Sequence, residues 1–242
     1  MILSKKSDVG LVRSMNQDAC AAGEFPDGMG WAVVCDGMGG AASGDVASAT
    51  AVKIISERIQ ASYREGMQAN SIRSVLFSAI ETANAVVFEM SQSNIEFEGM
   101  GTTVVAAILR NDAVYIAHAG DSRAYRITPD SIAQLTRDHS MVQAMVDRGQ
   151  ITPSEAREHP RKNIITRALG VDSRILIDFC EEPFERSDIL LICTDGLTNM
   201  VEDEEIFRAA QSAAAGELPE KLVRMANENG GQDNVTVVTI SE

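Results

Sequence analysis

The sequence lacks the long hydrophobic runs of a membrane protein. Its longest mostly apolar stretches, at 103–109 and 189–193, are far shorter than the roughly 20 residues that a membrane-spanning helix needs. Residues 1–8 also contain no apolar segment of the kind that a secretory signal peptide carries. We therefore expect no association with membranes and a cytoplasmic location.

Cysteine and basic residues are also few. Cys20, Cys35, Cys180 and Cys193 have no C-x-x-C spacing, so buried free thiols in a reducing compartment are their simplest interpretation. Because 21 basic residues face 35 acidic ones, the formal net charge is −14, which disfavours nucleic-acid binding. The acidic excess either serves solubility or is partly neutralised by bound divalent cations.

The chain does contain enough apolar material for one large domain. It has 242 residues, of which 45% are hydrophobic, and it shows no linker and no internal repeat. We predict a single domain over residues 1–242, with an α+β fold in which helices cover antiparallel sheets. The predicted helices occupy 43–64, 71–91, 202–214 and 218–229, and the predicted strands occupy 31–35, 102–109, 114–118, 123–127, 175–180, 188–193 and 234–240.

Four acidic residues stand where apolar segments end or begin. Asp36, Asp121 and Asp195 each follow such a segment, and Asp233 precedes one. An Asp-Gly pair after a strand usually marks a plain hairpin turn. Because the arrangement recurs over two hundred residues, we predict that the fold brings these four side chains together.

Four carboxylates in one site require a counter-ion, since like charges at close range otherwise bind protons. Mg²⁺, Mn²⁺ and Ca²⁺ all suit carboxylate ligands, whereas no Cys/His cluster has zinc spacing. Asp36 could bridge two cations about 4 Å apart, the carbonyl of Gly37 is free to bind one, and Arg13 offers a two-pronged donor for phosphate. These residues indicate metal-dependent phosphoester hydrolysis. Taken alone, Arg13 is also consistent with a solvated surface residue, and His118 with an ordinary strand residue.

Residues 138–170 interrupt the strands and are the most basic part of an acidic protein. Thr152 and Glu155 have the spacing of a capping box, with Pro153 at the first helical position. We predict a small helical flap beside the site. The alternative is a solvated loop in which the basic residues have no special role.

Six short motifs follow one another along the chain. They are Arg13-x-x-Asn16-Gln-Asp18, Asp36-Gly-Met-Gly-Gly40, Gly101-Thr-Thr103, Gly120-Asp-Ser-Arg123, Asp195-Gly and Gly231-x-Asp233-Asn234. This is the order found in the protein phosphatase type 2C family, which the chain resembles over residues 8–240. The resemblance is strongest to the compact bacterial serine/threonine phosphatases that oppose eukaryotic-like kinases.

The resemblance implies an αββα sandwich of two antiparallel sheets flanked by helices, with a small flap. It also implies hydrolysis of phosphoserine and phosphothreonine by a water that bridges two Mn²⁺ or Mg²⁺ ions, with phosphorylated proteins and a cognate kinase as partners. Nothing demands an oligomer, so we expect a monomer.

Transferred by position, the resemblance implies a set of metal ligands. Asp36 would bridge two cations, and the carbonyl of Gly37 would bind the second of them. Asp195 and Asp233 would complete the shell of the first cation. Asp121, together with Asp195, would match a third cation site.

The resemblance also implies supporting roles, with one departure. Arg13 would hold the substrate phosphate, Asp18 would orient a metal-bound water, and Asn234 would support the site from behind. The family motif usually continues from its glycine pair into a histidine, the proposed acid for the leaving alkoxide, but here Ala41 follows Gly40. Because general acid catalysis commonly contributes about 10²–10⁴-fold, we expect slow hydrolysis of phosphoserine and phosphothreonine relative to aryl phosphates.

Two other readings remain at this stage. Ala41 is compatible with a pseudophosphatase that binds metal and acts as a sensing module without turnover. A different metal-dependent hydrolase, or a calcium-binding structural protein, would also use clustered acids, although the sequence has no D-x-D-x-D-G loop.

Overall fold

The computed structural model describes residues 1–39, 43–110, 112–214 and 216–241. Within these ranges the chain forms eleven strands, seven α-helices and a 3₁₀ turn at Ile95–Phe97. The strands are β1 (Ile2–Asp8), β2 (Asp18–Glu24), β3 (Gly30–Met38), β4 (Gly101–Thr102), β5 (Val104–Arg110), β6 (Ala113–Ala119), β7 (Arg123–Ile127), β8 (Ile132–Gln134), β9 (Asp178–Pro183), β10 (Ile189–Cys193) and β11 (Val235–Ser241). The helices are α1 (Gly44–Ser62), α2 (Ala69–Ser93), α3 (Met141–Asp147), α4 (Pro153–Glu158), α5 (Asp195–Thr198), α6 (Asp203–Ser212) and α7 (Leu218–Glu228).

The strands form two antiparallel sheets. One has the order β1-β11-β10-β7-β8, and the other has the order β2-β3-β5-β6-β9, with the short β4 paired to β3. Helices α1 and α2 cover one outer face, and α5, α6 and α7 cover the other. This arrangement confirms the predicted αββα sandwich.

Strand β3 shows why the sequence folds into layers. Trp31, Val33 and Cys35 point toward α1 and α2, while Ala32 and Val34 point into the core between the two sheets. Because both faces of β3 are buried, its sequence is a continuous apolar run rather than an alternating one. The run carries Asp36 to the rim of the sandwich.

Judged by length and composition alone, α2 is the only helix in the described ranges that could cross a membrane. Its most apolar window has a mean hydropathy of 1.2. Helices of folded cores meet the same criterion. Ile72, Leu76, Ile80 and Val87 form one fully buried stripe on α2, which packs with α1 in the helix-facing core.

Several element predictions need correction. Strand β1 was not predicted, because an edge strand with Lys5 and Lys6 shows little apolar signal. The predicted strand at 102–109 is broken at Thr103, where the N–H of Asp36 on β3 is accepted by the side-chain hydroxyl of Thr103 rather than by its backbone carbonyl. The strand predicted at 175–180 begins only at Asp178 as β9.

Candidate active site

One cavity of about 220 Å³ opens at the rim where the two sheets meet α1. It brings together seven of the eight predicted site residues, which the chain order separates by up to 221 positions. Asp18 does not line the cavity but is the register partner of Asp36 in the β2–β3 ladder. The predicted residues in the lining are Arg13, Asp36, Gly37, Asp121, Asp195, Asp233 and Asn234.

The Gly101-Thr-Thr103 motif fixes Asp36 through its backbone. Thr103 donates its N–H to the carbonyl of Asp36 at 2.9 Å, and its Oγ1 accepts the N–H of Asp36 at 3.0 Å. The hydroxyl of Thr102 donates to the same carbonyl at 2.8 Å. A side chain on Gly37 is excluded, because a Cβ there would lie 2.0 Å from the carbonyl oxygen of Gly44. The glycine after Asp36 therefore allows close approach of α1 to the site.

The pairing of β10 with β11 brings Asp195 and Asp233 together. Asp195 lies two residues after the end of β10, and Asp233 lies two residues before β11 starts. Gly196 allows the crossing, since a Cβ there would lie 1.9 Å from the carbonyl oxygen of Asn234. Asn199 donates to Asp195 Oδ2 at 2.9 Å and thereby orients this carboxylate.

Asn234 is a structural clamp behind the cavity. Its Oδ1 accepts the N–H of Gln17 at 2.8 Å, and its Nδ2 donates to the carbonyls of Val9 and Met15, each at 2.9 Å. These three bonds hold the loop that carries Arg13 against the start of β11. Asn234, next to Asp233 in the sequence, thus connects the N-terminal loop to the last strand.

Burial and mutual repulsion shift the titration of the aspartate cluster. Burial, followed by the charges of Asp18 and Asp195, raises the pKa of Asp36 well above its usual range. Burial and the neighbouring charge of Asp195 likewise raise the pKa of Asp121 well above its usual range. The pKa of Asp195 is raised by burial and by Asp233, and burial raises the pKa of Asp18 to about 7. The unliganded cluster therefore binds protons more readily than isolated aspartates do.

The donor set fits hard divalent cations. Asp121, Asp195 and Asp233 supply carboxylate oxygens beside Asp36, and no cysteine or histidine lines the cavity in the described ranges. Asp18 Oδ1 is buried without a hydrogen-bond partner, while its Oδ2 accepts from Thr194 at 2.9 Å. Repulsion between closely spaced carboxylates favours their protonation. A divalent cation relieves the same repulsion, so these carboxylates are favourable ligands when the cation replaces the protons.

Arg13 lies at the mouth of the cavity. Its Nη2 donates to Asp233 Oδ2 at 2.8 Å, and the side chain is 53% exposed. This ion pair raises the pKa of the Arg13 guanidinium. Arg13 is thus an exposed surface residue, and its ion pair attaches it to the aspartate cluster. Ala41, the position of the missing histidine, lies outside the described residues.

A second polar cluster, not anticipated from the sequence, supports Asp121 from the opposite direction. The rings of His118 and His139 stack in parallel with centroids 4.8 Å apart. The ring atom Nδ1 of His139 accepts a hydrogen bond from the backbone N–H of Gly120 at 3.1 Å. The backbone N–H of His139 donates to the carbonyl of Gly120 at 2.9 Å. Gly120 has φ +115° and packs against Thr103. His139 thus fixes the turn that aims Asp121 at the cavity.

The far side of His139 ends in an ion pair. His139 Nε2 lies 3.1 Å from Asp178 Oδ2, and Arg167 donates to Asp178 Oδ1 at 2.6 Å. Burial alone would raise the pKa of Asp178, but the hydrogen bonds from His139 and Arg167 lower it below its usual range. Burial lowers the pKa of His139.

His118, His139 and Asp178 place one ligand atom each within 4.8 Å of one another, which is a spacing open to a cation. The hydrogen bonds favour an ion-pair network instead. Because His139 Nδ1 accepts a hydrogen bond from the backbone N–H of Gly120, the ring proton of the neutral imidazole lies on Nε2, which then has no lone pair for a metal. Arg167 already supplies the positive charge next to Asp178.

Two substitutions of His139 should separate these roles. His139→Asn keeps an acceptor near the Nδ1 position, whereas His139→Gln keeps a polar group near Nε2 and loses the acceptor for Gly120. We expect His139→Gln to raise the Mn²⁺ concentration for half-maximal activity about tenfold, because partners behind metal ligands typically contribute 10–100-fold, and His139→Asn to change it far less. His159 Nδ1 also accepts a backbone N–H, from Arg161 at 3.1 Å, so His159→Gln is the matched control. Equal effects of both His139 variants would contradict this role of Nδ1.

Comparison with known proteins gives consistent similarities over nearly the whole chain. A family model described as Protein phosphatase 2C matches residues 12–229. The chain is 40% identical to a "Serine/threonine phosphatase stp" of Listeria innocua over 241 residues, covering 97% of this chain and 93% of that one. The crystal structure of Stp1 from Staphylococcus aureus, described as a serine/threonine phosphatase, matches with a TM-score of 0.93 and 36% identity over 100% of this chain and 95% of that one. The catalytic domain of the serine/threonine phosphatase PstP, in complex with two manganese ions, matches with a TM-score of 0.86 and 32% identity over 98% of this chain and 96% of that one.

Proposed function

Because the chain belongs to the protein phosphatase 2C family, we propose that the aspartate cavity is where this metal-dependent protein serine/threonine phosphatase hydrolyses phosphoserine and phosphothreonine. The observation that supports this location most strongly is the convergence of Asp36, Asp121, Asp195 and Asp233 on one cavity that also holds Arg13. Its substrates are phosphorylated proteins.

The ligand assignment follows the geometry of the rim. Asp36, the carbonyl of Gly37, Asp195 and Asp233 would hold two Mn²⁺ or Mg²⁺ ions, and Asp121 with Asp195 would hold a possible third. Such cations, when bound, supply Lewis acidity, lower the pKa of water and offset the phosphate charge. The protein's own contribution is a rigid set of oxygens, because strands β3, β10 and β11 fix the backbone of each ligand.

Two further residues would act on water and phosphate. Asp18 Oδ1, which has no partner of its own, would accept a hydrogen bond from water in the cluster and orient it, while Thr194 fixes the other oxygen. Arg13 would transfer one of its N–H donors from Asp233 to a phosphate oxygen. Asn234 would keep Arg13 in reach through its clamp on the 9–17 loop.

Replacing Arg13 tests the phosphate role. We expect Arg13→Ala to lower kcat/KM for a phosphothreonine peptide about 10–100-fold, since a hydrogen bond to a charged group contributes about 1.5–3 kcal/mol. Arg13→Lys should recover only part of this, because an ammonium group lacks the two-pronged geometry. The Mn²⁺ concentration for half-maximal activity should not rise, since Arg13 is not a ligand. Arg224→Ala, at an exposed position on α7, is the control, and wild-type kcat/KM in Arg13→Ala would refute the assignment.

The organisation of the chain is part of the same proposal. Residues 1–242 act as one monomeric cytoplasmic phosphatase domain, and residues 138–170, which contain α3 and α4, form its flap. The contact of Arg157 with the carbonyl of Thr198 at 3.0 Å and with Glu202 at 2.9 Å supports a flap docked beside α5. A cognate serine/threonine kinase would supply the phosphoproteins that this enzyme hydrolyses.

Phosphate release from a phosphothreonine peptide and from an aryl phosphate, with Mn²⁺ and with EDTA, tests the function directly. Release from both substrates that EDTA abolishes is the expected result. Release from the aryl phosphate alone would show that the absence of a histidine at position 41 prevents protonation of the alkoxide. No release from either substrate, with Mn²⁺ bound, would reject the phosphatase in favour of a binding module.

A further inference from the structure

An apolar groove adjoins the aspartate cavity. It has a volume of about 230 Å³, and Thr166, Arg167, Asp172 and Arg174 form the polar part of its lining. The apolar part consists of Met38, Ile165, Ala168, Val171, Ile175 and Leu176. We call this space the Leu176 groove. Met38 and Ile165 also line the aspartate cavity, so the two spaces share a wall.

The groove exposes apolar surface that the fold itself does not cover. Leu176 is 71% exposed and Val171 is 50% exposed, and neighbouring Ile164 is 43% exposed. Three of the eight large hydrophobic residues that are exposed within the described ranges therefore fall in one short segment beside the site. Contiguous exposed apolar surface of this kind marks binding sites in folded proteins.

The walls of the groove are fixed by hydrogen bonds. The buried side chain of Asn84 on α2 accepts the N–H of Gly170 at 2.9 Å and donates to the carbonyl of Asp172 at 3.0 Å. These two bonds clamp the residues on both sides of Val171. Leu169 and Thr102 exchange a pair of backbone bonds of 2.8 and 3.1 Å, which ties the same loop to β4. A groove held in place before binding loses little entropy when an occupant enters.

The position of the groove decides what can occupy it. A phosphorylated residue that enters the aspartate cavity carries its own chain with it, and that chain passes Met38 and Ile165 where the two spaces meet. The space on the other side of Asp121 and Asp195 contains Val142, Val146 and Met200, but these are interspersed with charged residues such as Lys162 and Asp203, and its lining is mostly polar. The contiguous apolar face therefore suits a substrate side chain rather than a separate ligand.

We propose that the Leu176 groove is a specificity subsite that binds an apolar side chain of the phosphoprotein substrate, within about four residues of the phosphorylated one. The spacing follows from the shared wall, since an extended chain advances about 3.3 Å per residue. The inference rests on the proposed function, because it takes the aspartate cavity as the place of phosphate hydrolysis.

A scan of phosphothreonine peptides with Mn²⁺ tests the subsite. In an otherwise Ala/Ser/Gly peptide, Leu is placed singly at each of the four positions before and after the phosphothreonine. We expect one position at which Leu raises kcat/KM about tenfold over Ala, the scale on which apolar pockets discriminate side chains of different size. A flat scan with measurable turnover would overturn the subsite and leave the phosphatase intact. No release from any peptide, including those that carry Leu, would overturn the phosphatase itself and the subsite with it.

Variants identify the groove as the source of the preference. Leu176→Ser should reduce the Leu/Ala ratio at that position to about one, whereas Leu176→Met should retain most of it, because methionine preserves an apolar surface. Ile95 is 85% exposed and does not line either space, so Ile95→Ser should keep the wild-type ratio. An undiminished ratio in Leu176→Ser, or an equal loss in Ile95→Ser, would overturn the assignment.

Discussion

Replacing Asp36 by Asn should lower kcat for a phosphothreonine peptide by about a thousandfold or more, while raising the melting temperature of the metal-free protein. Loss of Lewis acidity removes several kcal/mol of transition-state stabilisation, and each 1.4 kcal/mol corresponds to about tenfold in rate. The stability effect has the opposite sign, because burial and four surrounding carboxylates raise the pKa of Asp36 well above its usual range. A neutral amide removes that repulsion.

The two readouts together distinguish a metal ligand from a residue that merely holds the fold. Wild-type protein should gain melting temperature on addition of Mn²⁺, since a ligand that binds only the native state stabilises it, and Asp36→Asn should gain much less. Asp130→Asn, on the exposed turn between β7 and β8, should match wild type in kcat and in both melting temperatures. A lower melting temperature of Asp36→Asn in EDTA, with a normal Mn²⁺ response, would contradict the proposed role.

The acids of the site could be predicted because each stands next to a buried strand. The continuous apolar run before Asp36 identified β3, and similar runs located β10 and β11, which bring Asp195 and Asp233 to one rim. The resemblance to a known family added the order of the motifs. Apolar runs and the order of motifs can both be recognised directly in the sequence. They were therefore enough to predict the fold class and the position of the cluster.

Other features of the site could not be predicted, because they depend on contacts between residues that are distant in the sequence. The sequence around each of these residues gives no sign of such a contact. His139 follows a polar segment, and nothing near it indicates that its ring accepts the N–H of Gly120 or that Asp178 and Arg167 complete the network. Asn84 resembles any polar residue within a helix, yet it clamps the loop of Val171 from 86 positions away. Leu176 was not singled out, because an isolated leucine gives no sign of whether the fold leaves it exposed.

The pH dependence of stability should reverse when the metal is removed. In EDTA, we expect the melting temperature to fall by roughly 5 °C between pH 6.5 and 8. Asp18 has a pKa of about 7, and the pKa of Asp36 is raised by burial, so the folded state retains these protons to a higher pH than the unfolded chain, which loses them at about pH 4. A group whose folded pKa is raised stabilises the fold fully below its unfolded pKa. That stability declines as the pH rises toward the folded pKa, by at most about 1.4 kcal/mol per pH unit for each proton retained.

The chosen window separates the carboxylates from the other shifted groups. Burial lowers the pKa of His118 and His139, so both are mainly neutral above pH 6.5 in the folded state. The protons that these histidines still bind in the unfolded chain, where their pKa is about 6.5, oppose the trend of the carboxylates only at the low end of the window. Asp178, whose pKa is lowered, contributes a constant stabilisation across this window, because its contribution changes with pH only below about pH 4. With saturating Mn²⁺ the trend should reverse, because deprotonated carboxylates bind the cation more tightly as the pH rises. Asp36→Asn should show a shallower slope than wild type in EDTA, since it has one fewer acid to deprotonate. A flat wild-type profile in EDTA would mean that the aspartates are already ionised without metal, and that the cations are not needed to relieve their repulsion.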